Sequence, residues 1–239
     1  TNPYEGSFEL DEDTAAKQYS IMTARALFNV LSTKANLKGT LPFSISENAS
    51  ATKKPLLAEK LENNGKQTTL KASIVLRDLN SASLSDAAIG GLIGTMEAGS
   101  SAELVFEDQF SKDLKVNGES HTGLFCHTMA EHTSLTAELK YASGAGKIHV
   151  ETDVSDADAG GFVGHMDASS CLTVAGSSVS AVSSADGNAG GLVGSAEDGI
   201  LCVRADHETS GFTFLDSLTL KAGSDKAAGG LIGAYSVTN

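Results

Sequence analysis

The chain has 239 residues, with 17 Lys and Arg against 30 Asp and Glu, for a formal net charge of −13. That balance excludes a nucleic-acid backbone or an anionic membrane as the partner, since binding either by counterion release needs clustered cations, and Arg25, Arg77 and Arg204 are scattered. A hydrophobic content of 41% with only three prolines excludes a disordered chain, and no apolar run reaches the roughly 18 residues of a helical membrane span, so no direct membrane insertion is expected.

In chain order, the first signal is helical. Between Asp11 and Leu31, Tyr19, Met22, Ala26, and also Ala24, Leu27, Phe28 and Leu31, recur at three- and four-residue steps, and Asp11, Glu12 and Asp13 supply the negative charge that favours a helix start. The spacing predicts a helix near 11–31 that caps the apolar end of whatever follows. Next come Pro42 and Pro55, the pair Lys53-Lys54 and the polar turn Asn63-Asn64-Gly65-Lys66. This composition predicts an insertion or protruding hairpin over Phe43 to Gln67. Thr69 to Leu76 then opens a region of short strands in which helical periodicity is absent.

That region is punctuated by one glycine pentad in near-copies: Gly90-Gly91-Leu92-Ile93-Gly94, Thr122-Gly123-Leu124-Phe125-Cys126, Gly160-Gly161-Phe162-Val163-Gly164, Gly190-Gly191-Leu192-Val193-Gly194 and Gly229-Gly230-Leu231-Ile232-Gly233, with a degenerate copy at Arg25-Ala26-Leu27-Phe28-Asn29. From Gly90 onward the copies are separated by 32, 38, 30 and 39 residues. A polar turn such as Asp156-Ala157-Asp158 precedes each pentad, and an apolar alternation such as Cys171-Leu172-Thr173-Val174 follows. Recurrence at this period means a stack of supersecondary units. Propeller blades are longer and rely on aromatic signatures that a chain without Trp lacks. The expected fold is therefore all-β, a parallel β-helix or β-solenoid-like repeat domain with an N-terminal capping helix. It forms one elongated domain over 1–239 with about six coils. Stacked pentads predict an inward column of Leu27, Leu92, Leu124, Phe162, Leu192 and Leu231.

Pentads of this form, after a polar turn and before a short strand, resemble the GLUG-type repeats of large surface proteins of gut and mucosal bacteria, adhesins and immunoglobulin A peptidases among them. The copies at 90, 160, 190 and 229 carry the resemblance; those at 25 and 122 depart from it. The resemblance implies an extracellular stalk or adhesive region and no catalytic residue. The N-terminus lacks the basic-then-apolar pattern of a signal peptide, and the chain begins mid-theme. The expectation is a segment of a larger protein, attached to the cell surface through regions outside it.

Local motifs for chemistry are weak. His121, His127 and His132 flank Cys126, but the Cys-x-x-Cys kind of pair that commonly anchors a zinc site is not present. Asp153, Asp156 and Asp158 precede a glycine pair without the register of a calcium-binding solenoid repeat. Gly144-Ala145-Gly146-Lys147 lacks the first glycine and the hydroxyl residue of a phosphate loop. No metal or other cofactor and no catalytic residue are expected. Cys126, which replaces the last glycine of its pentad, and Cys171 and Cys202, which lie in apolar alternations, read as buried free thiols. Aligning Leu172 with Leu201 puts Cys171 and Cys202 out of register for a bridge.

The function expected is a non-enzymatic one, binding a host surface or secreted protein, a glycoprotein or an immunoglobulin. A structural stalk is the alternative, and a polysaccharide-active β-helix enzyme a second one, disfavoured by scarce Arg, no Trp and only four Tyr. An adhesive surface is expected in the segments the repeat does not require: Phe43 to Gln67 with Lys53 and Lys54, Glu107 to Asn117 with Asp108, Phe110 and Lys112, and Asp206 to Asp216 with His207, Phe212 and Phe214.

Overall fold

The computed structural model describes residues 2–9, 20–21, 26–45, 53–65, 68–77, 87–203, 212–215 and 217–237. Among them every regular element is a strand. Successive strands on one face pair in parallel, in chain order, so the chain winds into a β-solenoid.

The seven-stranded long face consists of Ser20–Ile21, Thr40–Ile45, Leu70–Arg77, Ser101–Asp108, Ser134–Tyr141, Cys171–Gly176 and Ile200–Val203. A second seven-stranded sheet, the pentad face, contains Phe28–Ser32, Ala58–Glu62, Ile93–Met96, Cys126–Met129, Val163–Met166, Val193–Glu197 and Ile232–Ser236. A five-stranded third face runs through Ala87–Ile89, Leu114–Asn117, Ile148–Thr152, Ala181–Ser184 and Thr219–Lys221. Between the third and pentad faces lies a short face of two-residue strands, Thr122–Gly123, Ala159–Gly160, Ala189–Gly190 and Ala228–Gly229.

Alternation along each strand sends one set of side chains inward, and parallel register stacks them. On the long face Leu70, Ala102, Leu135 and Leu172 follow one another in one ladder, and Ile74, Phe106 and Leu139 in another; all are buried. The outward set is polar, as in the Lys71–Glu103 ion pair at 2.8 Å. The turn from pentad face to long face repeats too. Gly99, His132, Ser169 and Asp198 occupy its left-handed position (φ +72°, +58°, +58° and +46°), and the next residues Ser100, Thr133 and Ser170 are buried hydroxyls. Thr133 Oγ1 donates to Ala130 O at 2.8 Å and Ser170 Oγ to Asp167 O at 2.6 Å, closing the turn locally.

The pentads are corners. Those at 160, 190 and 229 begin on the short face, turn on their apolar residue and enter the pentad face. A Cβ at Gly160, Gly190 or Gly229 would collide with the carbonyl oxygen of Val163, Val193 or Ile232, three residues along. Glycine is required there because backbone packs directly on backbone.

Register corrects three expectations. Gly123 pairs with Gly160 and Cys126 with both Ile93 and Val163, so Phe125, and not Leu124, stands in the column; its ring stacks on Phe162 at 4.9 Å. The copy is consequently Gly123 to His127, and His127 holds the last-glycine position. Second, the supposed insertion contains a coil: Ala58 pairs with Phe28 and with Ile93, placing fully buried Leu57 between Leu27 and Leu92. Third, Phe28–Ser32 and Ser20–Ile21 are strands, so the helix expected near 11–31 is not seen at these positions; 10–19 and 22–25 lie outside the described residues. Tyr4 stacks on Phe28 at 4.9 Å and Phe8 meets it edge-on at 5.3 Å, while Ser7–Glu9 pairs with Asn36–Lys38.

The column thus runs Leu27, Leu57, Leu92, Phe125, Phe162, Leu192, Leu231. Its five central members are fully buried, Leu27 is half-buried and Leu231 is 42% exposed. Each fully buried member stabilises the fold by roughly 1.5–3 kcal/mol. Ile200, Val203 and Tyr235 are exposed alongside Leu231 in the last coil.

The corner geometry sets an expected outcome. Gly190→Ala places a methyl against Val193 O and Gly233 N and lowers unfolding free energy in urea by about 1–3 kcal/mol. Gly230→Ala, with nothing within 4 Å of the added carbon, changes it little. Equal effects would show that backbone approach does not dictate these glycines.

Candidate functional site

The residues before the short-face strands form a ladder of their own: His121, Asp158, Asn188 and Ala227. On the neighbouring pentad face Thr128, His165 and Ser195 form another. The two ladders meet at the outer side of the corner. Asp158 is buried, and its Oδ1 accepts the Asn188 backbone N–H (2.7 Å) and Nδ2 (2.8 Å). Its Oδ2 accepts Ser195 Oγ at 2.5 Å and lies 3.5 Å from His121 Nδ1. His121 Nδ1 accepts the Asp158 backbone N–H at 2.9 Å, which leaves the ring proton of the neutral form on Nε2. His165 Nδ1 contacts Ser195 Oγ at 2.7 Å and Nε2 contacts Asp167 Oδ1 at 3.0 Å. The rings of His121 and His165 stack at 4.9 Å. Burial, and next the adjacent His165, hold His121 below the usual imidazole range, against the opposing pull of Asp158 and Asp167.

Ser195, His165 and Asp167 follow the order of a hydrolytic triad. Ser195 is nearly buried, however, and its single proton faces two acceptors, Asp158 Oδ2 and His165 Nδ1. A hydroxyl so held is a structural link between coils rather than a nucleophile presented to a substrate.

One coil back on the same side, a cavity of about 180 Å³ is lined by Lys53, Lys54, Pro55, Glu59, Lys60, Gly94, Thr95, Glu119, Ser120 and His127. Lys54 Nζ donates to Glu119 Oε2 at 2.5 Å and lies 3.6 Å from Glu59; Lys53 reaches Asp153 at 2.6 Å and Lys60 reaches Glu97 at 2.9 Å. The Glu119 hydrogen bond raises the Lys54 pKa, and the Lys53 hydrogen bond lowers that of Asp153. Such solvent-facing pairs stabilise by about 0–1 kcal/mol each. His127 is buried, and desolvation drives its pKa down to about 4. Among the described residues its Nε2 meets no hydrogen-bond partner.

The residues expected to meet a partner separate into three groups. Lys53 and Lys54 line the cavity, Lys112 is exposed, and Phe214 is 46% exposed. Phe212 is partly buried, edge-on to Phe162 at 6.0 Å and to Phe214 at 5.0 Å. Asp108 and Phe110 are fully buried, because Asp108 falls on the inward ladder between Leu76 and Tyr141, and neither can touch a partner. His207 lies outside the described residues.

The histidines near Cys126 do not converge on it. Cys126 points into the core, its thiol pushed up to about 12 by burial, and His132 sits in the left-handed turn at a different corner. Among the cysteines Cys126 alone is buried; Cys171 is half-buried and Cys202 exposed, and all three are free. Cys171 pairs with Ile200 and Cys202 with Thr173, the offset that the Leu172–Leu201 alignment gives. Asp153, Asp156 and Asp158 take separate partners, Lys53, Lys226 and Ser195. Sequence reasoning missed Asp158, His165, Asn188 and Ser195 as a group. Their signal is positional: each stands at a fixed offset from a short-face glycine.

Fold and site together define a parallel β-solenoid with a polar network at its pentad corners. No family model matches the chain, and neither the curated proteins nor the solved structures contain a match.

Asp108 provides a pH test. Its Oδ1 accepts the Phe110 N–H at 2.9 Å, its Oδ2 has no partner among the described residues, and desolvation raises its pKa to about 7 from 3.8. Between those values the folded chain holds more protons than the unfolded one, so the Asp108 contribution is full below pH 3.8 and is lost as pH rises through 7. His127 acts oppositely, its contribution being lost as pH falls from 6.5 through about 4. Asp108→Asn is expected to raise the Tm at pH 8 and to flatten the fall between pH 4 and 7. An unchanged pH profile of thermal unfolding would show that Asp108 is not the group responsible.

Proposed function

We propose that the chain is a non-catalytic segment of a bacterial cell-surface protein, of the GLUG-repeat kind, whose corner side engages a secreted or surface protein of the host. The observation that carries this reading is the charged cavity beside the pentad corners. Lys53, Lys54, Glu59 and Lys60 of the Leu57 coil meet Glu119 of the Phe125 coil there, across Gly94 and Thr95 of the coil between, although the stacking pattern requires none of these charges. Alternating cations and anions on a rigid parallel scaffold suit a protein surface of mixed charge, which steers association and sets register. The chain's net charge of −13 favours a partner with a basic patch beside its acidic one. An extracellular location, with attachment through other parts of a larger protein, belongs to the same proposal.

A spacer that lifts another domain from the cell is the second reading. It is favoured by the flanks, where pairs such as Lys71–Glu103 neutralise charge between coils. Binding of the immobilised chain to secreted host proteins, immunoglobulin included, separates the two. The adhesive reading expects saturable binding that the double substitution Lys53→Glu, Lys54→Glu weakens at least tenfold with an unchanged melting transition. Binding indifferent to both charges would move the site away from the cavity, and absence of binding to every host protein tested would leave the spacer.

A further inference from the structure

We propose that His121, Asp158 and His165 form a binding site for one divalent transition-metal ion of the zinc class. One ligand atom from each lies within 4.8 Å of the other two. They come from the entry to one short-face strand, the entry to the next, and the pentad face. Two imidazoles and a carboxylate suit zinc, nickel or copper, whereas calcium and magnesium take oxygen ligands alone.

The surrounding contacts orient these ligands as outer-shell partners do in metal sites. Asp167 holds His165 Nε2 and thereby turns Nδ1 toward Ser195 and Asp158. Asn188 occupies Asp158 Oδ1 with two hydrogen bonds and leaves Oδ2 on the histidine side. Ser195 Oγ, already in contact with both Asp158 Oδ2 and His165 Nδ1, supplies a fourth oxygen or its place is taken by water. The ion takes the place of two hydrogen bonds, the short Ser195–Asp158 one and that from the Asp158 backbone N–H to His121 Nδ1, whose lone pair it needs, and draws the ligands to about 3.3 Å from one another, as four-coordination at roughly 2.0–2.1 Å demands. Since His121 belongs to one coil and Asp158 and His165 to the next, the ion staples neighbouring coils. The ligand set is separate from the residues proposed to bind host protein.

The test titrates chelator-stripped chain with zinc chloride and with nickel chloride by calorimetry, and counts metal by elemental analysis after gel filtration. One ion per chain at micromolar or tighter affinity, a raised Tm, and failure of excess calcium to compete are expected. His165→Ala and Asp158→Asn should each weaken binding at least tenfold, and His132→Asn should leave it unchanged. Should the site variants fold poorly, cobalt in the unaltered chain decides: paramagnetic shifts must fall on the ring protons of His121 and His165. No stoichiometric binding, equal competition by calcium, retained affinity in both site variants, or shifts centred on other histidines would each overturn the proposal.

Discussion

Close approach of backbone to backbone at the pentad corner is the constraint on which the rest of the structure depends. A short-face strand can fold against its own pentad-face strand only where Gly160, Gly190 and Gly229 carry no side chain. The turn throws the next residue inward, to Phe162, Leu192 or Leu231, and fixes the phase of inward and outward positions on the strand that follows. Parallel pairing then copies that phase from coil to coil, because a slip by one residue would exchange core and surface along an entire strand. Side chains that are buried, and side chains that meet outside the corner, are both consequences of this single turn.

The same logic explains what the sequence reveals and what it conceals. Glycine pairs and strand alternation are local signals, so the repeat architecture and the offset of Cys171 from Cys202 are legible. The coil through Leu57 is concealed because Pro55, Leu56 and Ala58 stand where other copies have glycine or a larger apolar residue; pairing with Ile93–Met96 compensates. Leu124 imitates the consensus better than Phe125 does, and it is the register of Gly123 with Gly160 and of Cys126 with Val163 that breaks the tie. The apolar steps between Asp11 and Leu31 fit a helix, yet Phe28–Ser32 has a neighbour to pair with, and tertiary pairing outweighs weak local propensity.

The polar network is the least legible part. Metal and catalytic motifs are recognised by close spacing, whereas His121, Asp158 and Asn188 stand in successive coils, and Ser195 reaches Asp158 from the coil after it, so they become neighbours only through stacking. Once Gly123 is aligned with Gly160, His121 and Asp158 share a ladder position automatically. Asp108 is the reverse case. Counting inward positions from Ala102 reaches Leu104, Phe106 and Asp108 in turn, so its burial is readable once the strand's phase is known. In a low-dielectric interior its unpartnered oxygen favours the protonated acid.

The graded burial of the column, complete from Leu57 to Leu192 but only partial at Leu231, makes stability vary along the axis. Coils contact only their neighbours, so the chain behaves as a one-dimensional array in which each unit is held by the two beside it. Among the described residues the coil containing Leu231 and Tyr235 has a neighbour on one side only, which leaves its amides less protected than those of the coils between two neighbours. Amide exchange of this 239-residue chain is therefore expected to follow a gradient, slowest around Phe125 and Phe162 and faster toward Ile232–Ser236, with unfolding travelling along the solenoid as a moving boundary.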